Sequence, residues 1–503
     1  MKEKFMELLL NNYEYQNDIF DVAREFFPGT IDDTSVIKLD YITNENCVDV
    51  DIEINSVKGT KTYKKQFDIN LGEGVKSRLK LGLYDALSDY FNKSLPYGCL
   101  TGVRPTKVIY SLLDKGLKLS QIPSYFRNNY RVSNEKINLL LEIIENQKPI
   151  EKNDNLVDFY VNIPFCTTEC SYCSFISAPI DKVQNYVKPY VDALISEIEF
   201  TKKMIRDKCY LVKNIYIGGG TPTAIPTEEL ERILQHLTFG EIREFTVEAG
   251  RPDTITKDKL DLLKKYNVTR ISVNPQTFND EVLNNIGRAH TAFDTIKSYE
   301  LARTYNFDIN MDLIAGLPKE TIKSFANSID KVIDLNPDNV TVHTLCLKRA
   351  SAFAIENENI FKTTKTEKML DYAKKQLALA GYKPYYLYRQ KNQVDNLENV
   401  GYFKNRKICR FNIESMEETT SIIACGANAI SKRFFSLENR IERAANVKDI
   451  PSYILRLNEM LERKKELFDY KEIYFNIVII HFLFKNYLYC ETLSNFKFNY
   501  NLN

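Results

Sequence analysis

The chain has 503 residues and sets 68 Lys and Arg against 67 Asp and Glu, a net charge of +1. That balance leaves no global electrostatic argument for nucleic acid or an anionic membrane surface as a partner. A content of 44% hydrophobic and 27% charged residues describes a globular protein with a large core, too long for one typical domain. Ten cysteines without a secretory segment point to a reducing, cytoplasmic setting in which thiols ligate metal or fill cores.

Residues 1–150 read as an α+β domain of unassigned role. Residues 1–27 mix acidic and apolar positions and are expected to form an amphipathic helix, not a signal peptide. Strands are expected at 35–39, 47–54 and 63–69, and a helix over 74–90. Residues 95–107 gather Gly98, Gly102 and Pro105 with Arg104 and Lys107, either a joining turn with a solvated basic face or an anion contact. The polar run 148–155 marks the expected domain boundary.

From residue 156 strands alternate with helices. Strands are expected at 156–163, 214–217, 244–248, 270–273, 308–313 and 339–345, with helices at 183–205, 228–237, 257–266, 292–305 and 321–335. Repeated βα units predict an α/β architecture, a parallel sheet with helices outside. Six units within residues 151–360 suit a partial (β/α)6 TIM-type barrel, whose chemistry belongs at the C-terminal strand ends.

Directly after the first strand comes Cys166-Thr167-Thr168-Glu169-Cys170-Ser171-Tyr172-Cys173. Three thiolates on one short loop can ligate three irons of a [4Fe–4S] cluster. A zinc site would want a fourth Cys or His close by. With no fourth cysteine at hand, the fourth iron would stay open. The second strand is followed by Gly218-Gly219-Gly220-Thr221-Pro222, where missing side chains let backbone N–H groups approach a ligand. The third ends at Glu248 before Gly250-Arg251-Pro252, the fourth runs into Asn274-Pro275-Gln276, and the fifth carries Asp312 before Gly316-Leu317-Pro318. Arg288 lies between the fourth and fifth strands, with the bidentate fork that suits a carboxylate. His290 and His343 receive no role. Cys346, at the end of the sixth strand, is a candidate to line the pocket.

An open iron with Tyr172 before the last cysteine resembles the radical SAM superfamily, in which S-adenosylmethionine (SAM) chelates that iron. Residues 159–166, 218–222, 246–248, 271–278, 286–291 and 310–318 resemble the oxygen-independent coproporphyrinogen III oxidase family within it. Residues 100–106 and 247–253 resemble its HemZ branch. The resemblance runs from about residue 95 to about residue 465. It implies an oxidoreductase of haem and porphyrin biosynthesis, a coproporphyrinogen dehydrogenase, with a tetrapyrrole substrate and a low-potential electron donor of flavodoxin or ferredoxin type. Cys166, Cys170 and Cys173 would bind the cluster. Tyr160, Tyr172, Gly219 and Glu248 would hold SAM on the open iron. Gly220, Thr221, Gln276, Arg288 and Asp312 match positions that hold a second SAM. The radical is generated at the cluster, so no side chain is assigned as catalytic. Three features depart from the oxidases. Phe175 stands where they have a fourth cysteine, as in the related haem chaperones. Asn162 stands where they have His. Residues 1–150 have no counterpart of their N-terminal segment.

Residues 361–465 resemble the family's C-terminal region and are expected to cap the barrel mouth and complete the substrate pocket, with Arg389 a candidate contact for a propionate. Residues 466–503 form an apolar tail of unassigned role. Its apolar core, 477–484, is shorter than the ~20 residues needed to cross a bilayer.

Overall fold

The computed structural model describes residues 6–27, 35–57, 59–69, 73–102, 104–148, 150, 153–173, 177–346, 365–390 and 397–469. The tail run 477–484 and Phe175 lie outside them.

The N-terminal unit opens with a strand, β1 (Met6–Leu10), and the helix α1 (Gln16–Phe26) follows it. This corrects the single helix expected over 1–27. Met6 to Leu10 pairs in parallel with Ser35 to Leu39 of β2 (Ser35–Thr43), which satisfies backbone groups that a lone amphipathic segment would leave to water. Only residues 16–26 carry helical spacing, burying Ile19, Val22, Ala23 and Phe26. Antiparallel pairing adds β3 (Cys47–Ser56) and β4 (Gly59–Asp68), in the order β1-β2-β3-β4. With α2 (Val75–Phe91) they share one core that ends at Cys99.

The boundary expected near residue 150 also moves. Helices α3 (Pro105–Asp114), α4 (Ile122–Tyr130) and α5 (Asn134–Gln147) bury their apolar faces in the core of the following barrel, not in the N-terminal one. The α5 residues Ile137, Leu140, Ile143 and Ile144 are at most 2% exposed. A helix with so wide an apolar stripe follows its partner surface, and the polar run after it is only a surface connection.

The next six βα repeats build the barrel. Strand β5 (Leu156–Ile163) leads, through the short pair β6 (Phe165–Cys166) and β7 (Ala178–Pro179), to α6 (Ile180–Asp207). Then follow β8 (Leu211–Gly219), α7 (Thr227–His236), β9 (Glu244–Val247), α8 (Lys257–Lys265) and β10 (Arg270–Ser272). After the short α9 (Asp280–Asn285) come α10 (Ala292–Arg303), β11 (Asp308–Ala315), α11 (Ile322–Leu335) and β12 (Asn339–Thr344). Thr256, Asn279, Thr291 and Thr321 cap α8 to α11 with side-chain oxygens that accept backbone N–H groups. The six strands lie in sequence order and pair in parallel. Seven of the eight residues of β5 are buried, as both faces of such a sheet are covered. The α/β reading holds, and the sheet is open: β5 and β12 each pair with C-terminal strands instead of with each other.

Those C-terminal elements are α12 (Lys365–Leu379), β13 (Lys383–Tyr388), β14 (Asn399–Phe403), α13 (Arg410–Glu417), β15 (Ser421–Cys425), β16 (Ile430–Phe435), β17 (Arg440–Ala445), α14 (Ile450–Leu455) and α15 (Leu457–Asp469). Among the described residues these elements flank the barrel strands and also reach the cavity at the mouth. β14 and β13 extend the sheet beyond β12, and β15 to β17 extend it beyond β5. The connection into α13 closes the opposite end. The Glu244 carboxylate, at the start of β9, accepts the backbone N–H groups of Arg410 and Phe411, and Phe411 stacks 4.4 Å from Tyr216 inside the barrel. Among the described C-terminal residues, Tyr388, Gln390 and Asn399, at and beside the ends of β13 and β14, reach the mouth.

Arg104 and Lys107 both pair with Glu418, just after α13. The anion these cations meet is the chain's own, which favours the joining-turn reading. Arg389 is likewise an internal contact: it donates to Leu100 O and to Glu25, and stacks 4.4 Å over the Tyr97 ring. Among the described residues no helix is long and apolar enough to cross a membrane.

Candidate active site

The C-terminal strand ends surround one cavity of about 300 Å3, at the lower end of the ~300–1,000 Å3 usual for small-molecule sites. Eleven of the twelve residues singled out from the sequence line it: Cys166, Cys170, Tyr172, Cys173, Gly219, Gly220, Thr221, Glu248, Gln276, Arg288 and Asp312. Tyr160 does not. It lies one layer deeper, donating to Asn162 Oδ1 at 3.0 Å beside the stacked rings of Tyr216 and Phe411.

Backbone packing sets the cysteine loop against the glycine loop. The Thr221 N–H donates to Phe165 O, and Thr221 Oγ1 lies 3.4 Å from Cys166 Sγ. Gly219 has φ 113°, and a Cβ there would stand 2.5 Å from Asn162 Oδ1. At Gly220 a Cβ would stand 2.5 Å from Phe165 O. Side chains at either position would push the two loops apart.

Partly buried charge lines the wall. Burial, with Asp312 nearby, pushes the Glu248 carboxyl up to about 7, although Tyr216 OH donates to it at 2.6 Å. Asp312 goes the other way. Burial opposes its charge, yet His343 and Asn310 hold its carboxyl below the usual range. Gln276 takes a left-handed φ of 64°, a conformation uncommon outside glycine. Its backbone bonds to β11 on both sides, through Asp312 O and Ile314 N. Arg288 reaches Tyr172 OH at 3.0 Å and Gly250 O at 3.3 Å.

The residues present fit a cluster and a polar cofactor. Gln276 Oε1 and Arg288 Nε are buried on the cavity wall without a hydrogen-bond partner among the described residues, so an acceptor and a donor are left for a bound molecule. Beside them the mouth presents three thiols on one loop, a donor set suited to iron.

The sequence reading gave no role to His343, Tyr388, Gln390 or Asn399, yet all four line the cavity, as does Cys346. His343 was visible at the end of a strand. Tyr388 and Asn399 lay in the region expected to complete the pocket but drew no individual role, since it is the pairing of β14 with β12 and of β13 with β14 that brings them to the mouth.

A loop of three cysteines facing a cavity at the strand ends marks a radical SAM protein, and residues 160–332 match the model of the Radical SAM superfamily. Over 447 residues the chain is 36% identical to the oxygen-independent coproporphyrinogen-III oxidase-like protein HemZ of Bacillus subtilis, covering 85% of this chain and 89% of that protein. It therefore belongs to the HemZ-like branch of the radical SAM oxygen-independent coproporphyrinogen III oxidase family. The heme chaperone HemW of Bacillus subtilis is 35% identical over 205 residues, 39% of this chain and 52% of that protein. The solved structure of coproporphyrinogen III oxidase (HemN) from Escherichia coli matches with a TM-score of 0.49 at 23% identity, over 65% of this chain and 74% of that one. The cofactors of this superfamily are a [4Fe–4S] cluster and SAM.

Proposed function

We propose that the protein decarboxylates coproporphyrinogen III oxidatively, without oxygen, to protoporphyrinogen IX. The observation that carries this reading is the 36% identity across 89% of a coproporphyrinogen-III oxidase-like relative. In this reading Cys166, Cys170 and Cys173 hold three irons. Tyr172, Gly219 and Glu248 bind SAM, and Tyr160 supports them from below through Asn162. Gly220, Thr221, Gln276, Arg288 and Asp312 form the remaining cofactor wall and match the positions that hold a second SAM. His343, Tyr388, Gln390 and Asn399 face the substrate.

When bound, the reduced cluster and SAM supply a 5′-deoxyadenosyl radical able to take a hydrogen atom from the β-carbon of a propionate. The substrate would then release CO2 and pass one electron to a one-electron acceptor, leaving a vinyl group, and a second propionate would follow. The chain's own part is to orient and to exclude water. A low-potential donor of flavodoxin or ferredoxin type supplies the electron.

Haem transfer is the second reading, favoured by the 35% identity to a heme chaperone. One experiment separates them: strictly anaerobic incubation of reconstituted protein with coproporphyrinogen III, SAM and a low-potential reductant, followed by mass spectrometry. Loss of two CO2 and four hydrogens per porphyrinogen, abolished in Cys170→Ala, establishes the oxidase. An untouched porphyrinogen with stoichiometric haem binding overturns it in favour of the chaperone.

A further inference from the structure

Arg251 belongs to the Gly250-Arg251-Pro252 turn after β9, and neither the family's cofactor residues nor the proposed function uses it. Its guanidinium is buried, 3% exposed, and lines the cavity. Nη1 stands 3.5 Å from Cys170 Sγ, within reach of an N–H···S hydrogen bond. The other edge of the fork is occupied: Nε donates to Asp253 Oδ1 at 3.1 Å and Nη2 lies 3.5 Å from Asp253 Oδ2. Asp253 therefore fixes the guanidinium plane and leaves Nη1 for the sulfur.

The same carboxylate ties the arrangement to the cysteine loop, because Thr167 Oγ1 donates to Asp253 Oδ2 at 2.8 Å. The backbone of Arg251 is fixed as well, its carbonyl accepting from Thr254 N at 2.9 Å and Thr254 Oγ1 at 2.8 Å. Arg251 is thus held against the loop independently of any ligand. An alternative ligand-binding arginine is already present in Arg288, whose Nε has no partner among the described residues.

We propose that Arg251 is a positioning residue for the iron–sulfur cluster, donating Nη1–H to the Cys170 sulfur and easing one-electron reduction of the cluster. Reduction places one more negative charge on the iron and sulfur atoms, so a fixed donor to a ligating sulfur stabilises the reduced form more than the oxidised one. One electron enters from a low-potential protein donor. No bond breaks and no proton moves, since arginine stays protonated throughout.

The test is an anaerobic redox titration of the full-length, cluster-reconstituted protein, with the reduced cluster followed by electron paramagnetic resonance, on wild type, Arg251→Lys and Arg251→Leu. Iron and sulfide content and SAM affinity are measured on each. The expected result is a midpoint potential falling in the order wild type, Arg251→Lys, Arg251→Leu, with iron content unchanged. If Arg251→Leu fails to load, the comparison of wild type with Arg251→Lys decides, and a lower potential in Arg251→Lys supports the role. Equal potentials in loaded proteins overturn it, and a loss of SAM affinity at unchanged potential assigns the guanidinium to the cofactor instead. The readout uses no porphyrinogen, so it stands or falls apart from the substrate assignment.

Discussion

His343 Nε2 lies 3.6 Å from Asp312 Oδ2, and its Nδ1 lies 3.2 Å from Tyr388 OH. One imidazole thus joins a carboxylate on the cofactor wall to a hydroxyl contributed by β13. With Nε2 protonated toward Asp312, Nδ1 is left to accept from Tyr388. We expect His343→Phe to weaken SAM binding more than Tyr388→Phe does, because the imidazole faces the partly buried Asp312 carboxylate directly and contacts to charged groups contribute more than neutral ones. Tyr388→Phe should cost only a few-fold, the value of a neutral hydrogen bond. Calorimetric titration with SAM checks both, and equal effects of the two substitutions would contradict the chain of contacts.

Each of Cys166→Ala, Cys170→Ala and Cys173→Ala should retain the fold and lose the cluster. The three thiols sit on a loop whose ends are held by the pairing of Phe165 with Ala178 and Cys166 with Pro179, not by the metal. Circular dichroism should match wild type while iron and sulfide fall to background.

The Glu248 carboxyl, raised to about 7, is neutral below that pH. If it binds the ammonium group of SAM, only the ionised form serves, so affinity should rise with pH through about 7 and then level off. Below the pKa the change approaches tenfold per pH unit, one proton being released on binding. Calorimetry from mildly acidic to mildly alkaline pH should show this slope in wild type and a flat, weaker profile in Glu248→Gln.

Lys464 of α15 and Glu197 of α6 form an ion pair of 2.7 Å, with side chains 1% and 0% exposed. Tyr453, Asn446 and the Gly426 N–H complete the carboxylate's hydrogen bonds. Lys464→Met strands a buried carboxylate and should destabilise the protein by about 3–5 kcal/mol. Removing both charges, in Lys464→Met with Glu197→Gln, should recover part of that loss in denaturant unfolding. A double variant worse than the single one would contradict the account.

The alternation of β-branched runs with helical spacing was enough to place the six barrel strands, since most of their residues are buried and each helix buries one stripe. The cysteine loop and the residues at strand ends were legible for the same reason: in a parallel βα sheet, position along the chain dictates position around the mouth. Three things depended on long-range pairing. Residues 6–10 became a strand because β2 offered an edge. Helices α3 to α5 joined the barrel because its surface, not the N-terminal sheet, matched their stripe. Tyr388 and Asn399 reached the cavity because β14 turns back antiparallel beside β12 and β13 pairs antiparallel on its outer side. Local sequence determines which backbone shape a segment prefers and which chemistry sits at its ends. Which distant surface buries an apolar stripe is decided by the assembled fold, and with it the wall that faces His343 and the guanidinium that meets Cys170.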